Sequence, residues 1–391
     1  MTGQRVVGVL GASGAVGRAA VRELRDLGHT TLRLGGRRVD ALREVNDHDG
    51  PAGDIVCDIV RTDLDDPRSL AAFAEGCDVL LNCAGPTYRL RATVASAALA
   101  AGAHCVDVAG DDPAAEDLLA AGDPAGDGRT VVLSAGALPG LSAILPRWLA
   151  RQGFDSVSGL VAYCGGLEPC SPTVAVDLML SLTAGGAHGA AYGEALAAIR
   201  GGRRVSRALR AVEDTVLGGF PGRVAVQPYL SGETERLATR LGLARVDWFN
   251  VHPGPQVHAV LNLLPARLAA GAGLDELADR LILAADLDLA GRTPFYVLDF
   301  RMTGTEAGGP AQRRLTVRTG SSYRLTAAVG ALAVDAVARG IVPPGVHFAS
   351  DVLDPEAVVA RLRGGVAERF ELSSGAFQGE RAGALAEEGV L

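Results

Sequence analysis

The stretch Arg5–Gly17, RVVGVLGASGAVG, constrains the fold of this chain more than any other. Val6, Val7, Val9 and Leu10 form a short apolar run of the kind shown by a parallel strand buried on both faces. Gly11, Gly14 and Gly17 follow at a three-residue spacing. An amphipathic helix comes next. Val16, Ala20, Leu24 and Leu27 make one stripe, Arg18, Arg22, Arg25 and Asp26 lie off it, and Gly28 is placed to cap its end. Strand, glycine turn and helix form the unit that aims backbone N–H groups and a helix N-terminus at a pyrophosphate. The spacing G-x-x-G-x-x-G is a variant of the commoner G-x-G-x-x-G. Glycine turns recur by chance in a chain with 51 glycines, so the motif needs support from elsewhere.

That support comes in chain order. Thr30–Leu34 reads as a second strand that runs into Gly35-Gly36-Arg37-Arg38. A NAD-binding unit carries an acid here for the ribose 2′-hydroxyl. Two arginines suit a 2′-phosphate instead, through charge-assisted bonds, and predict NADP; a solvated basic turn is the alternative. Asp54–Val60 fits a third strand. Asp63 lies where an adenine amine could be met, unless the acidic cluster merely caps the helix at Pro67–Arg68. Val79–Asn82 is a fourth strand ending in Cys83-Ala84-Gly85-Pro86, small residues that let a flat ring approach the backbone. Further strands at His104–Val108 and Thr130–Ser134 end in Ala109-Gly110-Asp111 and Ala135-Gly136-Ala137-Leu138-Pro139-Gly140. Strand–helix alternation up to residue 145 predicts an α/β fold: a Rossmann doubly wound parallel sheet with these turns along its ligand-binding edge.

Composition narrows the partners. A chain of 391 residues calls for two domains, and 48% apolar with 21% charged residues reads as soluble and globular. A net charge of −8 and a pI near 5.5 argue against nucleic acid or an anionic membrane as partner. No secretion signal or membrane-spanning run stands out, so the cytoplasm is the expected compartment. Cys57, Cys77, Cys83, Cys105, Cys164 and Cys170 lack C-x-x-C spacing and read as free thiols, and no metal site is expected. His252 and His258 flank a Pro-Gly-Pro turn without a helix-borne metal motif. The chain contains no lysine. That excludes Schiff-base chemistry and the Tyr-x-x-x-Lys pair of short-chain dehydrogenases, since arginine stays protonated.

Taken together, GASGAVG (11–17), LGGRR (34–38), NCAGP (82–86), AAGAHCVDVAG (100–110) and AGALPGL (135–141) resemble the saccharopine dehydrogenase/reductase superfamily. The resemblance covers the first 145 residues well and the remainder by layout. It implies a Rossmann domain with an α+β substrate domain, and NADP-dependent reduction or formation of C=N bonds. By this resemblance Ser13, Gly14, Ala15 and Val16 would line the pyrophosphate, Arg37 the 2′-phosphate, and Cys83, Ala84, Gly85 and Pro86 the nicotinamide side, with Gly11, Gly36 and Arg38 also among the cofactor-binding residues.

The remaining expectations concern the second domain and the chemistry. Residues 1–145 are expected to form the nucleotide domain, with 323–362 returning to it by family analogy. Residues 146–322 would form the substrate and oligomerisation domain, compatible with a homodimer, and 373–391 a loosely ordered tail. Strands are predicted at Val157–Tyr163, Arg223–Tyr229, Arg245–Val251, Phe295–Thr303 and Arg314–Thr319, with a turn at 304–310. Helices are predicted at Val174–Leu182, from Ala266 to Ala285 and at Tyr323–Ala338. Ser171-Pro172-Thr173 starts the first of these helices as a cap or as a carboxylate site. Tyr88, Asp107 and Asp111 are the candidate catalytic groups, with Asp107 equally readable as a core acid bonded to backbone. The expected reaction is hydride transfer to a C=N or related carbonyl of a small anionic metabolite. A C=C reductase or a nonenzymatic NADP sensor is the alternative. The substrate is expected in a cleft between the domains, bounded on the nucleotide side by 85–88, 109–111 and 135–140, with the helix after Pro139 offering N–H groups to an anion.

Overall fold

The computed structural model describes residues 5–48, 56–122, 124–183 and 192–375. They divide into two compact units, one from the described residues up to 144 with 322–362 and the other from 145–321 with 363–375.

In the first unit the opening apolar run is β1 (Val6–Leu10), and α1 (Ala15–Asp26) follows the glycine turn. Next come β2 (Thr31–Gly36), α2 (Val39–His48), β3 (Val56–Arg61), α3 (Pro67–Ala74) and β4 (Val79–Asn82). The short α4 (Thr87–Leu90), α5 (Thr93–Ala100), β5 (His104–Asp107), α6 (Asp112–Ala121), β6 (Thr130–Leu133) and the first turn of α7 (Leu141–Ala150) complete the run. A seventh strand, Gly345–Phe348, comes from the returning segment and pairs with β6. The order is Gly345–Phe348, β6, β5, β4, β1, β2, β3, with every pairing parallel. β1 lies between β2 and β4, so the order reverses there and opens a crevice at the strands' carboxyl ends.

Local sequence explains these elements. Buried Ala20, Val21 and Leu24 hold α1 to the unit, and Gly28 at φ +89° closes the helix through its N–H to Arg25 and that of His29 to Leu24. Leu10, Phe73, Leu80, Val94, Cys105, Val131 and Leu133 form one continuous core beside the sheet. The returning helix Ser322–Ala338 is small-sided: a Cβ on Gly330 would stand 3.0 Å from Val108 and 3.3 Å from Leu81. Further along the returning segment, Arg361 bonds Glu23 and Asp26 of α1, both at 2.7 Å.

The second unit has a ten-stranded mixed sheet. Ser156–Leu167 runs parallel to Arg245–His252 and antiparallel to Phe295–Glu306, which pairs in turn with Gly309–Thr319. Arg223–Ser231 joins the far side of Arg245–His252. Helices Pro172–Thr183, Pro255–Ala269 and Leu274–Leu289 pack together through Ala175, Met179, Leu261, Leu264, Leu277 and Leu281. At the head of the first, Ser171 Oγ accepts from the Val174 N–H at 3.2 Å, the capping geometry. No helix among the described residues is long and apolar enough to cross a membrane.

Three expectations change here. The helical region 266–285 is two helices, broken at Gly271 (φ +85°), with Gly273 as N-cap of the second. The loop 304–310 shrinks to Ala307 and Gly308, both with positive φ, because such a pair matches the twist of a tight hairpin. The expected tail begins too early: Ser373 and Ser374 lie in the strand Arg369–Ser374, paired with Arg314 and Arg313. The rest of that tail, 376–391, lies outside the described residues, as do Asp54 and Ile55 of the expected third strand.

Candidate active site

The glycine turn does three separate jobs. Gly11 has φ +76°, and a Cβ there would stand 2.9 Å from the Ala84 backbone nitrogen, so β1 and β4 can end side by side only with glycine at this position. A Cβ on Gly17 would overlap Gly11 O at 2.2 Å, so its absence lets α1 pack down onto the turn. Gly14 is the exposed N-cap of α1; no side chain caps it and no acid stands in the first turn. The N-terminus of α1, with Ala15 and Val16, therefore keeps the electropositive character that holds a pyrophosphate. Arg18 stiffens the turn by donating from Nε to Ser13 O at 3.0 Å.

The end of β2 joins this cradle. A Cβ on Gly36 would stand 3.6 Å from Ser13 Oγ, so the two strand ends meet at that hydroxyl. Arg37 and Arg38 follow, both exposed, and neither guanidinium is engaged among the described residues. A bare helix N-terminus, with Gly36 adjoining Ser13 of its turn and two exposed arginines next in sequence, has the residue types that the two phosphate positions of NADP require. Asp63 lies beyond the end of β3, where its Oδ1 accepts from the Asp65 N–H at 3.2 Å, while Asp66 caps α3 through Arg68 N–H at 3.0 Å.

The ends of β4, β5 and β6 are tied to one another. Asn82 and Asp107 are register partners, both buried. Asn82 Nδ2 donates to Asp107 Oδ2 at 2.7 Å, and Asn82 Oδ1 accepts from Ala84 N–H at 3.1 Å. Asp107 Oδ1 accepts from the N–H groups of Ala109 and Gly110, both at 2.9 Å. Ser134, at φ +55°, donates its hydroxyl to Gly110 O at 2.8 Å. Burial pushes the Asp107 carboxyl above the usual carboxylate range, while its bonds from Asn82, Gly110 and Ala109 pull it back. Burial, with the Asp107 charge, likewise raises the Cys83 thiol, which leaves it protonated and unfit as a nucleophile. Gly85 and Pro86 follow, joined by a cis peptide bond, and lead into α4 with the half-buried Tyr88. Asp111 is the N-cap residue of α6, yet its carboxylate does not cap the helix.

One expected anion site is closed. The first N–H groups of α7 do not face outward: Leu141 N–H donates to Gly136 O at 2.9 Å, Ser142 N–H to Ala137 O at 3.1 Å, and those of Ala143 and Ile144 to Gly140 O. The buried loop 134–137 folds back over this helix end, so no donor is left there for a substrate. Sequence reasoning also passed over Asn82, Ser134 and Thr326. Thr326 Oγ1 accepts from Ala137 N–H at 3.3 Å and ties the returning helix to the third loop. The available signal was a polar residue closing each of two otherwise apolar strands. His252 and His258 have ring centroids 5.9 Å apart, and His258 faces Glu213 at 3.5 Å. Among the described residues no three His, Cys, Asp or Glu side chains group as metal ligands.

Known proteins share sequence with the first third of this chain and fold with nearly all of it. Residues 7–132 match the family model of the saccharopine dehydrogenase NADP binding domain. The whole fold is similar to apo saccharopine dehydrogenase (L-Glu forming) from Saccharomyces cerevisiae, with a TM-score of 0.65 at 15% identity over 95% of this chain and 100% of that one. Corynebacterium glutamicum DAP dehydrogenase matches over 92% of this chain and 99% of its own, with a TM-score of 0.45 and 14% identity. A probable dehydrogenase from Thermotoga maritima matches over 91% and 93%, with a TM-score of 0.45 and 12% identity. The first unit is thus a dinucleotide-binding domain whose cofactor is NADP. Residues 7–132 carry a saccharopine dehydrogenase-type NADP binding domain, and the chain as a whole shares the fold of that dehydrogenase.

Proposed function

We propose that this protein transfers a hydride between NADP and the carbon of a C=N bond, or a related carbonyl, in a small anionic metabolite. The observation that carries the reading is the shared edge of the first sheet. The glycine turn, the Arg37–Arg38 pair and the small-residue loops after β4, β5 and β6 all stand at strand carboxyl ends. The cofactor supplies the hydride; what the chain supplies is position, charge and a proton. Ser13, Gly14, Ala15 and Val16 receive the pyrophosphate, Gly36, Arg37 and Arg38 the 2′-phosphate, and Asp63 the adenine side. Cys83, Ala84, Gly85 and Pro86 form the small-sided wall for the nicotinamide.

Proton handling falls to Tyr88 and Asp111, which stand beyond β4 and β5. An iminium substrate needs no strong acid, because its nitrogen already carries the charge, and a nearby carboxylate favours that cation. With the α7 terminus closed, Arg89 takes over as the partner of a substrate anion. It is exposed on α4 and unengaged among the described residues. The absence of lysine fits this chemistry, which requires no covalent enzyme–substrate bond.

The test is oxidation of NADPH by the purified protein in the presence of pooled amino acids with their 2-oxo acids, then of single compounds. Turnover above background with an amine and a 2-oxo acid together supports the reading. Turnover only with conjugated alkenes would select the C=C alternative, and tight NADPH binding without any turnover would select the sensor.

A further inference from the structure

We propose that Asn82 and Asp107 act as one positioning pair that sets the nicotinamide-side loops, so that Asp107 orders backbone and is not the proton donor. The inference rests on the proposed seating of NADP. It starts from register: the last residues of β4 and β5 are direct partners, so one hydrogen bond between their side chains joins two loop origins. Every polar atom of the two side chains that can orient a neighbour has one. Asn82 Oδ1 takes the Ala84 N–H, Asn82 Nδ2 reaches Asp107, and Asp107 Oδ1 takes two further N–H groups. The amide orientation of Asn82 follows from this network, because only its oxygen can accept from Ala84.

The pair therefore fixes the direction of Cys83–Pro86 and of Ala109–Asp111 together. Space is tight enough to transmit the setting: a Cβ on Gly110 would stand 2.9 Å from Leu133 and 3.4 Å from the Asp107 carboxyl carbon. Through Gly110 O the third loop joins at Ser134. A proton donor needs a proton and an open path to substrate. Asp107 is only 4% exposed and both its oxygens accept hydrogen bonds within the protein.

Exchanging the two residues discriminates between these roles. In Asp107→Asn, either amide orientation sets N–H against N–H. In Asn82→Asp, carboxylate oxygen faces carboxylate oxygen. The double variant N82D/D107N restores every bond. Its amide, now on β5, donates to the carboxylate now on β4, and the amide oxygen accepts from Ala109 and Gly110. Kd is measured by fluorescence for NADPH and, by competition, for an adenosine bisphosphate carrying the 2′-phosphate but no nicotinamide.

The expected result is that each single substitution weakens NADPH by about tenfold or more while the adenosine bisphosphate binds as before, and that the double variant returns to near the wild-type NADPH affinity. If a single variant does not fold, the double variant alone decides: unchanged affinity supports the pair, and weakened NADPH with intact adenosine bisphosphate binding overturns it. Single variants that bind NADPH normally also overturn it. A wild-type protein that binds neither ligand would remove the NADP reading itself, a result distinct from either of those. Once a substrate is known, kcat of the double variant adds a second arm, because moving the carboxyl group abolishes turnover if Asp107 is the donor.

Discussion

Gly17→Ala is the substitution whose consequence can be worked out most directly. The new Cβ would stand 2.2 Å from Gly11 O and 2.6 Å from Ala12 Cα, where ordinary contact begins at 3.4 Å. Both obstacles are backbone, so neither can rotate away. Relief requires α1 to withdraw from the turn by roughly 1 Å, and overpacking of this kind costs about 1–3 kcal/mol. The melting temperature should fall by about 2–4 °C for each kcal/mol in a unit of this size. The withdrawal also carries the first-turn N–H groups away from the pyrophosphate, so NADPH affinity should drop about tenfold or more.

Gly14→Ala is its companion. There the added Cβ meets only Gly11 O, at 3.2 Å, and the residue is exposed. Its stability cost is confined to about 1 kcal/mol of weakened helix capping, yet the methyl group stands at the mouth of the cradle and should weaken NADPH. Melting curves and fluorescence titrations on both variants settle the matter. If Gly17→Ala lowers the melting temperature but leaves NADPH affinity within about twofold, the α1 terminus is not where the pyrophosphate binds.

Two further outcomes follow from the same structure. Arg37→Ala should raise the Kd for NADPH by about tenfold or more, the value of one charge-assisted bond to phosphate, and leave NADH unchanged; equal loss for both would make Arg37 structural. His252 has a pKa lowered to about 4, first by burial and then by His258. Its neutral form is favoured in the folded state, so its contribution is fully present above pH 6.5 and lost as pH falls toward 4, about 3 kcal/mol in all. Denaturant titrations between those limits should show this slope, and His252→Gln should flatten it.

How much of this was legible in the sequence depends on whether the signal was local. Val6–Leu10, Gly11–Gly17 and Gly28 announce a strand, a turn and a helix because each rule involves neighbouring residues, and the structure has all three in place. Gly345–Phe348 gave no such signal. It is a strand only because β6 offers it a free edge, a fact that lies some two hundred residues away in the chain. The α7 terminus misled for a related reason. A proline and glycine before an apolar run do mark a helix start, but the carbonyls of Gly136 and Ala137 that close it depend on the path of the loop. Asn82 and Asp107 were each visible as polar strand ends; that they face one another is a matter of register.

The most direct test of the account uses NADPH carrying deuterium at nicotinamide C4, incubated with the protein and a filtered metabolite extract and followed by mass spectrometry. Deuterium is expected to pass to a carbon bonded to nitrogen in a small metabolite, and Gly17→Ala to suppress the transfer. Deuterium that stays on the cofactor, in a protein that binds NADPH tightly and has been offered the whole extract, would contradict it.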